Sequence, residues 1–202
     1  MIDSMLFCKA LKFAAHAAGK KDVRYYINGV RLEIVGNTMS VIGTDGARVA
    51  VCAVRLDPTL PGDAAITIPN DDVKRVLSTF GKDKGQVVLS IAKPDQPNGV
   101  PVLSCNAGDV QLQIKGVEGI YPDMRRVVPP LNRKKGGMPN LNAKYLAEAC
   151  NALEPLTGAY KETRPLTFDS TGKPGDVVAI RPSYIGDAFI TDLLVVIAPI
   201  RY

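Results

Sequence analysis

The strongest constraint on the fold of this chain is an order of elements that recurs three times. Each time, an amphipathic helix is followed by several short strands, and the helices begin near residues 4, 70 and 142. The copies share too little identity to establish a sequence repeat. The repeated order still indicates an assembly of similar α+β units, which we call modules.

Three segments have the periodicity of amphipathic helices. The first covers residues 4 to 16 and continues towards Gly19, where a helix can stop. The second follows Pro69, and Asn70 is its expected cap. The third covers residues 142 to 153.

Segments with the alternation and composition of strands follow each helix. They cover residues 24–35, 38–42, 48–55, 64–68, 86–91, 100–105, 110–117, 165–169, 176–181 and 193–200. The pairs Gly36-Asn37 and Asp45-Gly46 indicate hairpin turns. Residues 129–139, rich in proline, glycine and basic side chains, have the composition of a linker.

Composition excludes some classes of protein. The chain has 202 residues, a formal net charge of +5 and a pI near 9.0, which is compatible with nucleic-acid binding without establishing it. No stretch is long and apolar enough to span a membrane, and Lys9 and Lys12 interrupt the apolar N-terminus, so a secretion signal is not predicted. We expect a cytoplasmic protein, bacterial or encoded by a phage or plasmid.

The sequence offers no support for catalysis, and we predict that the chain is not an enzyme. Its four cysteines are scattered, without metal-ligand spacing, and are expected to be reduced and buried, so neither a metal nor a cofactor is predicted. The single histidine, His16, favours a solvated or DNA-facing position over a catalytic one. Asp71 and Asp72 could mimic a metal pair, but they fit the start of a helix better.

Three segments carry a resemblance to a known family. Residues 22–52 read DVRYYINGVRLEIVGNTMSVIGTDGARVAVC, residues 119–129 read GIYPDMRRVVP, and the C-terminus reads VVIAPIRY. Together, in this order and spacing, they resemble the bacterial DNA polymerase III β subunit, the sliding clamp. The first two segments are similar to its middle domain and the third is similar to its closing tail.

The resemblance implies an α+β DNA-clamp fold with about three modules, helices lining a ring and sheets outside. Residues 1–129 resemble a complete clamp-type domain of two modules, 130–138 a linker, and 139–202 the last half of the next domain. The family's first domain and the first half of its third domain have no counterpart. The expected function is therefore a processivity factor that encircles duplex DNA without reading its sequence and tethers DNA polymerase, with the clamp loader as a further partner.

Site residues are implied by the same resemblance. The expected DNA contacts are basic and aromatic residues of the first module: Lys9, Lys12, Lys20, Lys21, Arg24, Tyr25 and Tyr26. Lys9, Lys12, His16 and Lys20 would form one polar helix stripe. Without the family match, a core position for one of the two tyrosines and a surface pair of Arg24 with Asp22 would be the favoured explanations.

A peptide-binding cleft for polymerase-derived motifs is implied at the domain junction. Its residues are Ile27, Thr44, Gly46, Arg48, Val49, Pro122, Arg126, Val127, Val196, Ile197, Ala198, Pro199, Ile200 and Arg201. The chain departs from the family at Ala47 and Ala198, where larger residues are common, which predicts a wider groove. It also departs at Asn70, Asp71 and Asp72, where the family is often basic.

Assembly and function leave alternatives open. Family rings contain twelve modules, so four chains of three would complete one, and an odd number of alternating modules requires each neighbour to be flipped. A dimer or trimer is the alternative. Two other classes of function remain: a decoy that binds clamp-binding peptides without encircling DNA, and a sequence-specific DNA-binding protein.

Overall fold

The computed structural model describes residues 1–57, 62–82, 85–92, 99–128, 139–157, 165–170 and 176–199. The helices are α1 (Ser4–Ala15), α2 (Asn70–Phe80) and α3 (Ala143–Leu153). The strands are β1 (Ile2–Asp3), β2 (Gly29–Val35), β3 (Thr38–Thr44), β4 (Arg48–Arg55), β5 (Ala64–Pro69), β6 (Gln86–Ala92), β7 (Val102–Ala107), β8 (Val110–Lys115), β9 (Leu166–Asp169), β10 (Val178–Pro182) and β11 (Ile190–Ile197). Short 3-10 turns cover Tyr25–Ile27, Met124–Arg126 and Glu154–Leu156.

The strands form two antiparallel sheets. One has the order β1-β6-β7-β8 and the other the order β5-β2-β3-β4-β11-β10-β9. The larger sheet contains strands from the first and the last parts of the chain. In it, β11 pairs with β4 in a register that sets Val196 opposite Val49 and Ile197 opposite Arg48. The C-terminal module therefore extends the sheet of the first module.

The first two modules exchange their leading strands. Strand β1 precedes α1 but pairs with β6 of the second module, and β5 precedes α2 but pairs with β2 of the first. Each helix thus begins where its chain leaves the neighbouring module's sheet. The exchange locks the two modules into one domain.

The main core lies between the helices and one face of the sheets. Helix α1 buries eight of its twelve residues there, and the Asp3 side chain caps it by accepting a hydrogen bond from the Leu6 N–H at 2.8 Å. Gly43 of β3 lies directly under α1, since a Cβ atom built on it would lie 1.9 Å from the Ala14 carbonyl oxygen. The close approach requires glycine at this position.

Several sequence-based expectations are wrong in detail. Helix α1 ends at Ala15, so Lys20 lies beyond it and the four-residue polar stripe does not form on one helix. Asn70 is the first residue of α2 rather than its cap, and its side chain donates to the Gly19 carbonyl at 2.7 Å. In place of a side-chain cap, the negative charges of Asp71 and Asp72 in the first turn stabilise the N-terminus of α2.

The segment before β2 is also not the predicted strand. Tyr25–Ile27 form a 3-10 turn because side chains on both sides of it bind the main chain. The Asp22 carboxylate accepts from the Arg24 N–H at 2.8 Å, and the Asn28 side chain donates to the Asp22 carbonyl at 2.7 Å. The predicted linker at residues 130–138 lies outside the described residues. In the described part of the chain, no helix combines the length and apolarity needed to cross a membrane.

Candidate nucleic-acid face and peptide groove

The sheet face opposite the helices carries a second apolar cluster. Its buried members come from β3, β4, β10, β11 and the segments before β2 and after β8: Ile27, Ile42, Val49, Tyr121, Ala179, Leu194 and Val196. Tyr26, Val51, Met124, Val128 and Val177 pack against it. We call these residues the outer cluster. It spans the β4–β11 junction, which is where the implied cleft was expected.

The structure brings most of the expected cleft residues to this face. Ile27, Val49 and Val196 belong to the outer cluster, while Pro122, Arg126 and Val127 are exposed beside it. Ala198 and Pro199 are half-buried, and the Ala198 N–H donates to the Ala47 carbonyl at 2.8 Å. Ile200 and Arg201 lie outside the described residues.

Two expected cleft residues point the other way. Ile197 belongs to the main core on the helix side of the sheet, and Arg48, its cross-strand partner, extends to the same side. The Arg48 guanidinium forms ion pairs with Asp45 and Glu148 and donates to the His16 carbonyl at 2.9 Å. It also lies 4.5 Å from the centre of the Tyr145 ring. Arg48 thus joins α1, β4 and α3.

The turn from Thr44 to Arg48 joins β3 to β4 and contacts the loop before β2. The Asp45 carboxylate accepts from the N–H groups of Ala47 and Arg48 at 2.9 and 3.0 Å. Gly46 has φ +88°, which disfavours other residues, and a Cβ atom there would lie 2.8 Å from an Arg24 nitrogen. The Arg24 guanidinium donates to the Asp45 carbonyl at 3.1 Å.

Arg24 is held in a surface ion pair, the alternative considered from the sequence. It donates to both carboxylate oxygens of Asp22, at 3.0 and 2.8 Å, and this hydrogen bonding lowers the pKa of Asp22 to about 2. Tyr25 is exposed and Tyr26 half-buried, with their rings edge-to-face and 5.8 Å apart. A DNA contact through these three residues remains a prediction, and the Asp22 charge offsets that of Arg24.

Four exposed lysines lie on α1 and in the loop after it. Lys9, Lys12, Lys20 and Lys21 are all exposed, and Lys21 adopts a left-handed backbone, with φ +59°. Helix α2 differs, because Lys74 pairs with Asp71 and Arg75 with Asp72 along the same helix. Its basic residues are thus neutralised by their own neighbours.

His16 is not the solvated residue expected from the sequence. It is half-buried, its ring lies against that of Phe13, and its Nδ1 contacts the Phe13 carbonyl. Burial lowers the pKa of His16. The groups around it are Arg48, Glu148 and Asp45, so His16 belongs to the junction of α1 with α3.

The thiols lie in the core. Cys8, Cys52 and Cys105 are buried and free, Cys150 is half-buried, and burial raises the pKa of Cys8 to about 11 and that of Cys52 to about 12. Among the described residues, no three histidine, cysteine, aspartate or glutamate side chains are grouped to hold a metal ion.

The sequence did not identify some residues of the outer cluster, nor the residues that contact Arg48. In the outer cluster it missed Tyr121 and Met124, of which Tyr121 donates to the Ile42 carbonyl at 3.4 Å and has its pKa raised by burial. The apolar residues at alternate positions of β4 and β11 are the signal for the rest of the cluster. Glu148 and Tyr145, which contact Arg48, carried no signal, because they lie about 100 residues away along the chain.

Comparison with known proteins identifies the family. Residues 1–123 match the model of the DNA polymerase III beta subunit, central domain. The chain belongs to the DNA polymerase III beta subunit family. Two curated beta sliding clamps, from Salmonella typhimurium and Proteus mirabilis, are 31% and 34% identical over 109 and 110 residues. Each alignment covers 54% of this chain and 28% of the relative, so the chain matches less than a third of their length.

Solved sliding clamps share the fold of the whole chain. A DNA polymerase sliding clamp from Pseudomonas aeruginosa superposes with a TM-score of 0.76 at 18% identity, covering 100% of this chain and 66% of that chain. The clamp from Bacillus subtilis gives 0.74 at 17% identity, covering 100% and 63%. The predicted α+β DNA-clamp fold is confirmed, and the match extends to the third module, beyond the family model.

Proposed function

We propose that this protein is a non-catalytic sliding clamp subunit that encircles duplex DNA as a homo-oligomeric ring in the cytoplasm. It tethers DNA polymerase, and also the clamp loader, through a peptide groove over the outer cluster. The observation that carries the proposal is the two-sided larger sheet. Its helix face presents exposed lysines and its opposite face the outer cluster with the exposed Val127 beside it, so DNA and partner proteins would bind without competing.

The helix face has the chemistry of a sliding surface. A ring that slides needs contacts to phosphates and none to bases, and lysines on flexible stems supply such contacts. Lys9 and Lys12 of α1 and Lys20 and Lys21 after it are exposed, and none of them forms an ion pair with another of the described residues. The neutralised α2 limits the attraction, which keeps the ring mobile along DNA.

Replacing Lys12, Lys20 and Lys21 together with alanine should weaken DNA binding equally for all sequences. Each lost phosphate contact makes the negative slope of log K against log salt shallower by about 0.9. The slope of the triple variant should therefore be shallower than that of the wild type by up to about 2.7. Titrations of several unrelated duplexes at a series of salt concentrations measure both quantities. A loss that depends on base sequence would contradict sliding and favour a sequence-specific protein.

The double variant Asp71→Asn with Asp72→Asn is the counterpart of this triple variant. It frees Lys74 and Arg75 of α2 and should strengthen binding and steepen the salt slope, provided that α2 faces the duplex as α1 does. An unchanged slope in the double variant would place α2 away from DNA.

Assembly is tested by the mass of the particle in solution. Four chains of about three modules match the twelve modules of a family ring, and we expect a tetramer in which neighbouring chains are flipped. Light scattering at micromolar concentration measures the mass directly. A monomer would exclude the ring, and a monomer that binds polymerase-derived peptides would be the decoy.

A further inference from the structure

The third module lacks a contact that the first two modules give each other. The residues just before α1 and α2 pair with the first strand of the neighbouring module, as β1 with β6 and β5 with β2. Before α3, residues 139–142 form no strand, and the outer side of β9, the first strand after α3, carries no strand among the described residues. Among the described residues, therefore, neither the segment before α3 nor the outer side of β9 is paired with a strand.

The segment before α3 has the form of the two exchanged strands. The residue preceding each helix is extended, with φ and ψ of −57° and 131° at Asp3, −56° and 147° at Pro69, and −68° and 113° at Asn142. Two positions before each helix stands an aliphatic residue: Ile2, Ile68 and Leu141. Ile2 and Ile68 are buried in the exchanged sheets, whereas Leu141 is only partly buried.

The open edge of β9 offers the matching main-chain groups. The Ser183 N–H donates to the Pro165 carbonyl at 2.9 Å, so in this register the Leu166 and Phe168 main-chain groups point away from β10. The side chains of Leu166 and Phe168 lie on the helix side, since Phe168 is opposite Ile180 of the main core.

The occupied edges combine side-chain and main-chain directions in the same way. Val87 of β6 and Val30 of β2 face the helices, and they lie opposite Ile2 and Ile68, the aliphatic residues of the leading strands. Hydrogen bonds from the Ser4 N–H to the Gly85 carbonyl and from the Asn70 N–H to the Asn28 carbonyl fix both registers. Leu141 thus fits opposite Leu166 or Phe168.

We propose that a second copy of this chain completes the third module by the same exchange. Residues 139–142 of each copy pair with β9 of the other, and Leu141 covers Phe168, which is 39% exposed in the single chain. The two half-domains become one clamp-type domain around a two-fold axis. A second copy is the fitting occupant because it offers the missing leading segment and the open edge at once, and two-fold contacts are self-complementary.

This inference rests on the proposed ring and identifies one of its two interfaces. The second interface of the ring would use β8, the terminal strand at the far end of the smaller sheet. Phe168→Lys should separate the chains at the third module and leave the β8 contact, so the particle should fall to half its wild-type mass. Val35→Lys is the matched control, because Val35 is 58% exposed at the β2–β3 hairpin and contributes to neither edge.

Cysteine cross-linking tests the register in the assembled protein. In a Cys150→Ala background, Leu141→Cys combined with Leu166→Cys or with Phe168→Cys should give disulfide-linked dimers, since residues opposite in such a pair have Cα atoms about 5.5 Å apart. Leu141→Cys with Thr167→Cys should not, because Thr167 lies on the other face of β9.

The outcomes separate this inference from the proposed function. An oligomeric wild type whose mass is unchanged by Phe168→Lys, or dimers formed through Thr167→Cys alone, would overturn the exchange and leave the ring standing. A monomeric wild type would overturn both. Half mass with circular dichroism like that of wild type, together with the predicted cross-links, supports the exchange.

Discussion

The Val127→Asp variant should fold and assemble as the wild type does, yet bind polymerase-derived peptides at least about 30-fold more weakly. Val127 is 40% exposed and follows the 3-10 turn whose Met124 packs on the outer cluster. Burying an apolar anchor in this groove is worth about 2 kcal/mol, which corresponds to the stated factor. A carboxylate at the rim would also lose hydration when a peptide docks, which adds to the loss.

Fluorescence anisotropy with a labelled peptide measures the effect, and Val35→Asp is the control. Val35 undergoes the same chemical change at an exposed position of the same sheet, so its variant should keep full affinity. Ile200→Asp offers a second site in the predicted cleft. Unchanged affinity in folded Val127→Asp and Ile200→Asp proteins would mean that partners dock elsewhere.

The sequence predicted the elements of this fold well where local patterns determine them. Helical periodicity predicts a buried face of Val73, Val76, Leu77 and Phe80 in α2, of which all but the half-buried Leu77 are buried, and β4 has its predicted bounds. Val49 and Val196 of the outer cluster were predicted to lie together only from the family motifs. No local sequence pattern shows that these two residues are opposite each other. Cross-strand pairing between distant segments is a property of the assembled sheet.

The sequence did not predict the secondary structure of segments whose conformation depends on tertiary contacts. Two residues are enough to make β1, because the exchanged sheet supplies its hydrogen bonds, and no sequence pattern marks so short a strand. The tyrosine segment was predicted to be a strand because its residues have high strand propensity. The Asp22 carboxylate accepts a hydrogen bond from the main chain and the Asn28 side chain donates one to it, and these two bonds outweigh that propensity.

Arg48 was predicted to line the peptide cleft, but its contacts indicate that it holds α3 against α1 and β4. A mutation can distinguish these two roles. Its side chain is nearly buried and meets Asp45, Glu148, the His16 carbonyl and the Tyr145 ring. These contacts fasten α3 to α1 and β4. In the wild-type protein they hold the third module on the first.

Arg48→Ala should lower the free energy of unfolding by about 3 kcal/mol, because it removes several charge-assisted hydrogen bonds and leaves a gap under α3. For a chain of this size that corresponds to a fall in Tm of about 6 to 12 °C. Arg24→Ala is the matched control, since it breaks an exposed pair with Asp22 and should change Tm little. Differential scanning calorimetry measures both.

The effect of Arg48→Ala should depend on pH in a direction that the ion pairs determine. The hydrogen bond from Arg48 lowers the pKa of Glu148 below its ordinary value of 4.5, so this contribution to stability is complete above that value and disappears as the pH falls through the lower folded pKa. The difference in Tm between wild type and Arg48→Ala should therefore shrink in acid. If the variant instead keeps its Tm at neutral pH and loses peptide binding, Arg48 acts in the groove and not at the junction of α1 with α3.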